Sequence, residues 1–104
     1  MTTHRFDVKD PSEKVTLTFD FSAGLGSAET LSGAPVATVS MAFGSDLAPS
    51  SILNGSASID PTSKLVFVPV LAGVADCDYV VKVVVPTSNA SKVLALSAIL
   101  PVRA

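Results

Sequence analysis

Residues 78–85 read DYVVKVVV and alternate with the two-residue period of a β-strand. One face of this strand carries aromatic or aliphatic side chains only, those of Tyr79, Val81, Val83 and Val85. The other face places Lys82 between Val80 and Val84. A strand at the surface of an antiparallel sheet normally has one apolar and one polar face. The second face of this strand is therefore more apolar than a solvent-facing surface normally is, so we expect another segment or another molecule to cover it.

Four other stretches of the chain predict longer strands, and these are VTLTFDFS at 15–22, PVATVSMAFG at 35–44, KLVFVPV at 64–70 and KVLALSAILPV at 92–102. Glycine, proline, asparagine and aspartate punctuate the chain between them, and no segment keeps the 3.6-residue period of a helix. We therefore predict an all-β protein, an antiparallel immunoglobulin-like β-sandwich of about seven strands.

Three details of the strands follow from single residues. A further short strand is predicted at 30–32, inside a glycine-rich loop. Pro69 has no backbone donor, which predicts an edge or late position for its strand. Tyr79 follows an acidic corner at the head of the penultimate strand, which is the place of a tyrosine corner in such sandwiches, although an ordinary core tyrosine fits equally well.

If Tyr79 points into the core, the alternation also sets the direction of the side chains in the last strand. The more apolar of its two sets of side chains then lies inside, and this set is Leu94, Leu96, Ala98 and Leu100. The outer faces of the last two strands merge into one apolar patch with a single charge, and we predict it to be an interface formed by Val80, Lys82, Val84, Val93, Ala95 and Ile99. The alternative is that residues 1–12 or the loop at 23–33 cover this patch within the same chain.

The 104 residues predict one domain, with an N-terminal arm at 1–12 and a single β-sandwich domain at 13–104. Charged residues form only 15% of the chain and the net charge is -2, with no basic cluster for phosphates, so nucleic acid is not an expected partner. No stretch is long and apolar enough for a membrane span, and the single cysteine excludes an internal disulfide. Synthesis in a reducing cytoplasm is expected.

We found no constellation of residues that predicts catalysis. The one histidine, His4, lies in the arm, where no buried nucleophile and orienting acid can surround it. Asp76 and Asp78, joined by Asp46 or Asp60, contain oxygen ligands for calcium, but their spacing matches no calcium loop. We expect no catalytic residue, no cofactor, no metal site and no small-molecule substrate.

Four short motifs resemble a known family, and these are KDPSE at 9–13, TFDFS at 18–22, LGSAETLS at 25–32 and LSAILPVR at 96–103. They resemble small structural proteins of tailed phages and prophages, encoded among the morphogenesis genes and assigned as fibre–tail adaptors or head–tail components. The chain differs from the family pattern at Phe21, where the family usually carries Trp, and in lacking a Gly before Glu29.

The resemblance implies a non-enzymatic virion structural protein, made in the bacterial cytoplasm and located in the particle. Its partners would be other virion proteins and further copies of itself. The alternative function is a carbohydrate- or receptor-binding immunoglobulin-like module of a phage fibre, which would use the loops at 23–33 and 86–91.

Overall fold

The structure is a computed structural model and describes residues 4–104. Its strands are β1 (His4–Arg5), β2 (Val15–Asp20), β3 (Val36–Phe43), β4 (Ser58–Ile59), β5 (Leu65–Val70), β6 (Cys77–Pro86) and β7 (Val93–Val102). Two short 3-10 turns, Ser22–Gly24 and Pro49–Ile52, are the helical elements of this part of the chain. The predicted all-β class is confirmed.

The strands form two sheets. The first has the order β1-β7-β6-β3, in which β7, β6 and β3 are antiparallel and the two-residue β1 joins β7 in parallel. The second is antiparallel and has the order β2-β5-β4. One hydrophobic cluster contains buried residues from both sheets, so the sheets share a single core.

Strand β6 lies in the middle of the first sheet and has the predicted orientation. Its inward side chains, those of Tyr79, Val81, Val83 and Val85, are 0% exposed. On β7, the residues predicted to lie inside are buried or half-buried. Full burial of a valine side chain contributes about 1.5–3 kcal/mol, so this one face supplies a large part of the stability of the core.

The second sheet closes the core from the opposite side. Leu17 and Phe19 of β2 are buried, and so are Val66, Val68 and Val70 of β5. In both strands the buried residues recur at every second position, which is the period of a β-strand.

The edge position predicted for Pro69 is wrong, because β5 lies between β2 and β4. Pro69 does have the late position that was the other prediction, since it is the last residue but one of β5. The strand accommodates the proline because β4 is short and pairs only with Val66 and Phe67. Beyond the end of β4, the carbonyl of Pro69 accepts a hydrogen bond from the Asn54 N–H at 2.9 Å. The nitrogen of Pro69, which has no hydrogen to donate, therefore leaves no hydrogen bond between β4 and β5 unmade.

The predicted strand at 30–32 is also wrong. Leu31 makes an isolated bridge to Thr87 and donates its N–H to the Ser63 carbonyl at 2.8 Å. Gly33 follows with a φ of 71°, a value that interrupts an extended strand. The segment is a buried contact between loops rather than a strand.

The turn between β4 and β5 is held by Asp60. Its carboxylate accepts hydrogen bonds from the Thr62 hydroxyl and from the N–H groups of Thr62, Lys64 and Leu65. The bond from the Thr62 hydroxyl is the main cause that lowers the pKa of Asp60 to about 2, and the backbone donors add to it.

Residues 4–12, the described part of the predicted arm, run along the edge of β7. The Phe6 N–H donates to the Ile99 carbonyl at 2.8 Å, and the Phe6 ring meets Phe19 edge-on with centroids 5.4 Å apart. Lys9 bridges Val102 in parallel. The segment thus occupies the side of the sandwich where β7 of one sheet faces β2 of the other.

Lys9 anchors this segment with a buried ammonium group. The residue is 2% exposed, and its Nζ donates to the carbonyls of Ala72 at 2.6 Å and Asp10 at 2.9 Å. Burial lowers the pKa of Lys9, against the opposing effect of Glu13 and Asp10. A buried cation held by backbone carbonyls ties the N-terminal segment to the loop between β5 and β6.

The Tyr79 hydroxyl makes the contacts of a tyrosine corner. It accepts a hydrogen bond from the Val74 N–H at 2.8 Å and donates to Asp46 Oδ2 at 2.7 Å. Burial is the main cause that raises the pKa of Tyr79 to about 12. The loops after β3 and β5 are therefore both fixed to the start of β6.

We expect Tyr79→Phe to lower the free energy of unfolding by about 1–3 kcal/mol, because the Val74 N–H and the Asp46 carboxylate both lose a partner. Urea unfolding followed by circular dichroism measures this change. A loss below about 0.5 kcal/mol, with an unchanged dependence on urea, would show that the hydroxyl does not hold the corner.

Candidate functional site

The candidate site is the outer face of the first sheet, where apolar side chains from three strands meet. We call it the valine face, and it consists of Val36, Val80, Val84, Val93, Ala95 and Ile99. Strand pairing sets these residues side by side: Val80 lies opposite Ile99, and Val84 lies between Val36 and Ala95. The five apolar residues predicted from β6 and β7 are thus neighbours on one surface.

The valine face is accessible to solvent in the described chain. Val93 is 61% exposed and Val36 is 57% exposed, and Ala95 is also exposed. Val80, Val84 and Ile99 are half-buried. The alternative was that residues 1–12 or the loop at 23–33 cover this face. Residues 4–12 line the edge of β7 instead, and residues 1–3 lie outside the described residues. Within residues 4–104, Val93 and Ala95 stay exposed, so the loop does not cover them either.

Lys82 divides the valine face into two rows. Its strand neighbours are Thr38 on β3 and Ser97 on β7, so one polar row separates the pair Val80 and Ile99 from the other apolar residues. Lys82 is exposed, and within residues 4–104 no carboxylate forms a salt bridge with it. The ammonium group is available to a partner that places a carboxylate or a carbonyl over this row.

One border of the valine face is ionic. Asp78 accepts a hydrogen bond from Arg103 at 2.8 Å and lies 3.5 Å from the Arg5 guanidinium. Arg103 also donates to the Cys77 carbonyl at 3.0 Å. This cluster joins the N-terminal segment, β6 and the C-terminus, and it limits the apolar surface on that side.

Val36 is the one member of the valine face that the sequence analysis did not assign to the patch. The alternation of β3 places it on the side opposite Ala37 and Val39, which are half-buried. Its position beside Val84 depends on the pairing of β3 with β6. Because Val36 and Val84 are 48 positions apart in the sequence, no local pattern could reveal their contact.

The loops named for the alternative function also come together, at one end of the sandwich. The Ser88 N–H donates to the Thr30 carbonyl at 2.8 Å, and the Ser32 N–H donates to the Pro86 carbonyl at 3.0 Å. These bonds flank the bridge between Leu31 and Thr87. The loops at 23–33 and 86–91 therefore form one connected surface.

Glu29 is the polar centre of this loop surface. Its carboxylate accepts hydrogen bonds from Lys92 Nζ at 2.7 Å, the Gly26 N–H at 2.7 Å and Asn89 Nδ2 at 3.1 Å. The bond from Lys92 is the largest cause that lowers the pKa of Glu29 to about 2. Because its oxygens already have three donors, Glu29 holds the two loops together in the free protein.

Three of the four aspartates that we considered for calcium are engaged in other contacts. Asp46 binds the Tyr79 hydroxyl, Asp60 caps its own turn and Asp78 pairs with Arg103. In the described residues, no three His, Cys, Asp or Glu side chains are grouped to hold a metal ion. Cys77 is buried. Within residues 4–104, no helix is long and apolar enough to cross a membrane.

Comparison of the chain with family models, curated proteins and solved structures gave no significant match.

We expect the Glu29 contacts to stabilise the fold fully above pH 4.5, the ordinary pKa of the group, and to be lost as the pH falls towards 2. Stability falls with falling pH because the pKa of Glu29 is lower in the folded protein than in the unfolded chain. Acid therefore protonates the unfolded chain first and favours it. Glu29→Gln should therefore be less stable than the wild type at neutral pH, and the difference should shrink in acid.

Urea unfolding of both proteins at neutral pH and near pH 2.5 measures this difference. Asp7→Asn is the matched control, since it removes one carboxylate from an exposed position with no ion pair among the described residues. A gap between wild type and Glu29→Gln that stays the same at both pH values contradicts the assignment.

Proposed function

We propose that this chain is a non-enzymatic structural subunit of a tailed-phage particle, a tail, fibre-adaptor or head–tail component that assembles through the valine face. The observation that carries the proposal is the accessible apolar surface on the outer side of β3, β6 and β7. Exposed apolar patches that are bordered by polar residues are typical of protein–protein contact sites. Its partners would be other virion proteins and further copies of the chain.

We also propose that the fold is immunoglobulin-like. If the strands are lettered A to G in chain order, the sheets read A-G-F-C and B-E-D. The constant-type immunoglobulin domain has the sheets A-B-E-D and C-F-G, so the arrangement differs only in the sheet to which the first strand belongs. The hydrogen bonds of Tyr79 at the start of the sixth strand support the same assignment.

The phage assignment also rests on the resemblance of the four motifs, which lie in structurally distinct places. The motif at 9–13 contains buried Lys9 and the turn after it, and the motif at 18–22 ends β2. The motif at 25–32 forms the loop fixed by Glu29, and the motif at 96–103 is most of β7 with Arg103. The motif residues thus include the main anchors of the N-terminal segment and of the loops.

The energetics favour repeated contacts over a single one. Burial of a Val or Ile side chain contributes about 1.5–3 kcal/mol, and the half-buried members of the valine face would gain only part of this. Association costs an estimated 4–15 kcal/mol in lost freedom of motion. One copy of this face therefore gives a weak contact, whereas a symmetric ring or an array adds the gains of many copies.

We expect Val84→Asp to weaken assembly through the valine face by at least about tenfold, because it places an unpaired carboxylate at the centre of an apolar contact. Size-exclusion chromatography with light scattering measures self-association, and incorporation into particles measures binding to virion neighbours. Thr16→Asp is the matched control, since it adds the same charge to an exposed strand position on the other sheet.

Equal assembly of wild type and Val84→Asp would rule out the valine face as the contact surface. A loss that Thr16→Asp shares would point to net charge rather than to this face. Circular dichroism spectra of the three proteins check that both substitutions leave the fold intact, as we expect for side chains that point outward.

The second candidate function is the binding of a carbohydrate or receptor by the loop surface. The favouring observation is that the loops at 23–33 and 86–91 are fixed to each other, so they present a preformed surface. The small number of aromatic side chains argues against sugar binding, because sugars commonly stack on aromatic rings and the chain has no Trp and one Tyr.

A glycan array distinguishes the two functions. The carbohydrate function requires binding that is lost when 86–91 is replaced by a glycine–serine loop of equal length, and that is unaffected by Val84→Asp. Absence of binding by the wild-type protein across the array excludes this candidate.

A further inference from the structure

Lys82 lies in the interior of the valine face and not at its border. Strand β6 is flanked by β3 and β7, and Val80 and Val84 lie two positions before and after Lys82 on the same side of β6. Two residues of a strand span about 6.7 Å, so a molecule that covers both apolar rows extends over about 13 Å and also covers Lys82. Contact with the whole face therefore takes the Lys82 ammonium group out of water.

The described chain has no counter-ion for this ammonium group. The one carboxylate of β6 is that of Asp78, which lies four residues before Lys82, about 13 Å along the strand. Arg103 and Arg5 already engage Asp78, at 2.8 Å and 3.5 Å. Strands β3 and β7 contain no acidic residue. A carboxylate for Lys82 must therefore come from the molecule that covers the face.

The outer side of the first sheet is positively charged, although the chain as a whole is negatively charged. Lys82, Arg5 and Arg103 place three cations on the valine face and its ionic border, against the single carboxylate of Asp78. The net charge of the chain is -2, so the other residues carry an excess of negative charge. A surface that is complementary to this side is apolar and negatively charged.

We propose that Lys82 determines which partner the valine face accepts, and that this partner is a protein surface with one Asp or Glu among aliphatic side chains. The inference rests on the proposed function and deepens it, since it names the chemistry of the partner. Aliphatic side chains cover the two apolar rows, and the carboxylate pairs with the ammonium group between them. A buried charge is tolerated when it is paired, whereas a lone buried ammonium group opposes the contact.

The same charge opposes the stacking of two valine faces on each other. A two-fold pair that covers both apolar rows in both copies has its axis close to the Lys82 row, because this row lies between them. The two ammonium groups would then lie near each other on one dehydrated surface, where like charges repel. A second copy therefore binds the valine face only through a different surface, one that carries a carboxylate.

Mixing two charge variants of the chain tests the proposal. Lys82→Glu converts the valine face of one copy into the proposed partner surface, an apolar face with one carboxylate. In sedimentation equilibrium, wild type mixed with Lys82→Glu should form a heterodimer whose dissociation constant is at least about tenfold lower than that of either protein alone. Raising the NaCl concentration from about 0.05 M to about 0.5 M should weaken this heterodimer.

Lys14→Glu is the matched control, since it makes the same change of charge at an exposed position before β2. Its mixture with wild type should show no gain. Val84→Asp mixed with Lys82→Glu should also show no gain, because the new carboxylate lies beside Lys82 on the same face. Circular dichroism spectra check that each variant is folded.

Lys82→Met removes the charge and keeps the aliphatic stem of the side chain. It should self-associate at least about tenfold more tightly than the wild type, because the repulsion between two stacked faces is gone. This self-association should not weaken as the NaCl concentration rises, since no charge pair holds it.

Three results would overturn the proposal, and they bear differently on the proposed function. If wild type self-associates as tightly as it binds Lys82→Glu, and Val84→Asp abolishes both contacts, the valine face binds but Lys82 does not select its partner. An equal gain with Lys14→Glu would assign the effect to net charge. If Lys82→Met stays monomeric at about 1 mM and the mixture forms no heterodimer, the face is not adhesive, and the proposed function fails as well.

Discussion

Burial of the inner face of β6 is the constraint that fixes the two sheets and the functional surfaces. Tyr79, Val81, Val83 and Val85 are inaccessible to solvent, and β6 pairs with β7 on one side and β3 on the other. A slip of one residue in either pairing would turn these side chains to water and place Lys82 in the core. The direction of every side chain in the three strands therefore follows from β6, including those that form the valine face.

The features that the sequence predicted are those set by local alternation. The inward and outward sides of β6 and β7 follow from the two-residue period, and adjacency of the two strands in the chain made their outer faces one patch. Pro69 was misassigned because its position depends on how far β4 extends beside β5, which is a property of the assembled sheet. Val36 was missed for the same reason: its neighbour on β6 is distant in sequence.

The N-terminal segment shows how the open side of the sandwich is partly closed. Phe6 packs on Phe19, and Lys9 reaches the Ala72 carbonyl, so one aromatic ring and one buried cation fix the segment to both layers. A buried ammonium group without a carboxylate partner is costly, and the carbonyls of Ala72 and Asp10 offset part of this cost for Lys9. Within residues 4–104, β1 pairs with Ala98 and Ile99 of β7, and Phe6 and Lys9 continue along the same edge.

The chemistry of the valine face bears on the kind of contact that it can make. Apolar contact is non-directional and tolerates several orientations, whereas Lys82, in the polar row between Thr38 and Ser97, is a charge that any covering molecule must accommodate. Charged residues form only 15% of the chain, so little charge repulsion opposes such a contact. A symmetric array would add the gains of many copies of this contact, which a single weak contact does not supply.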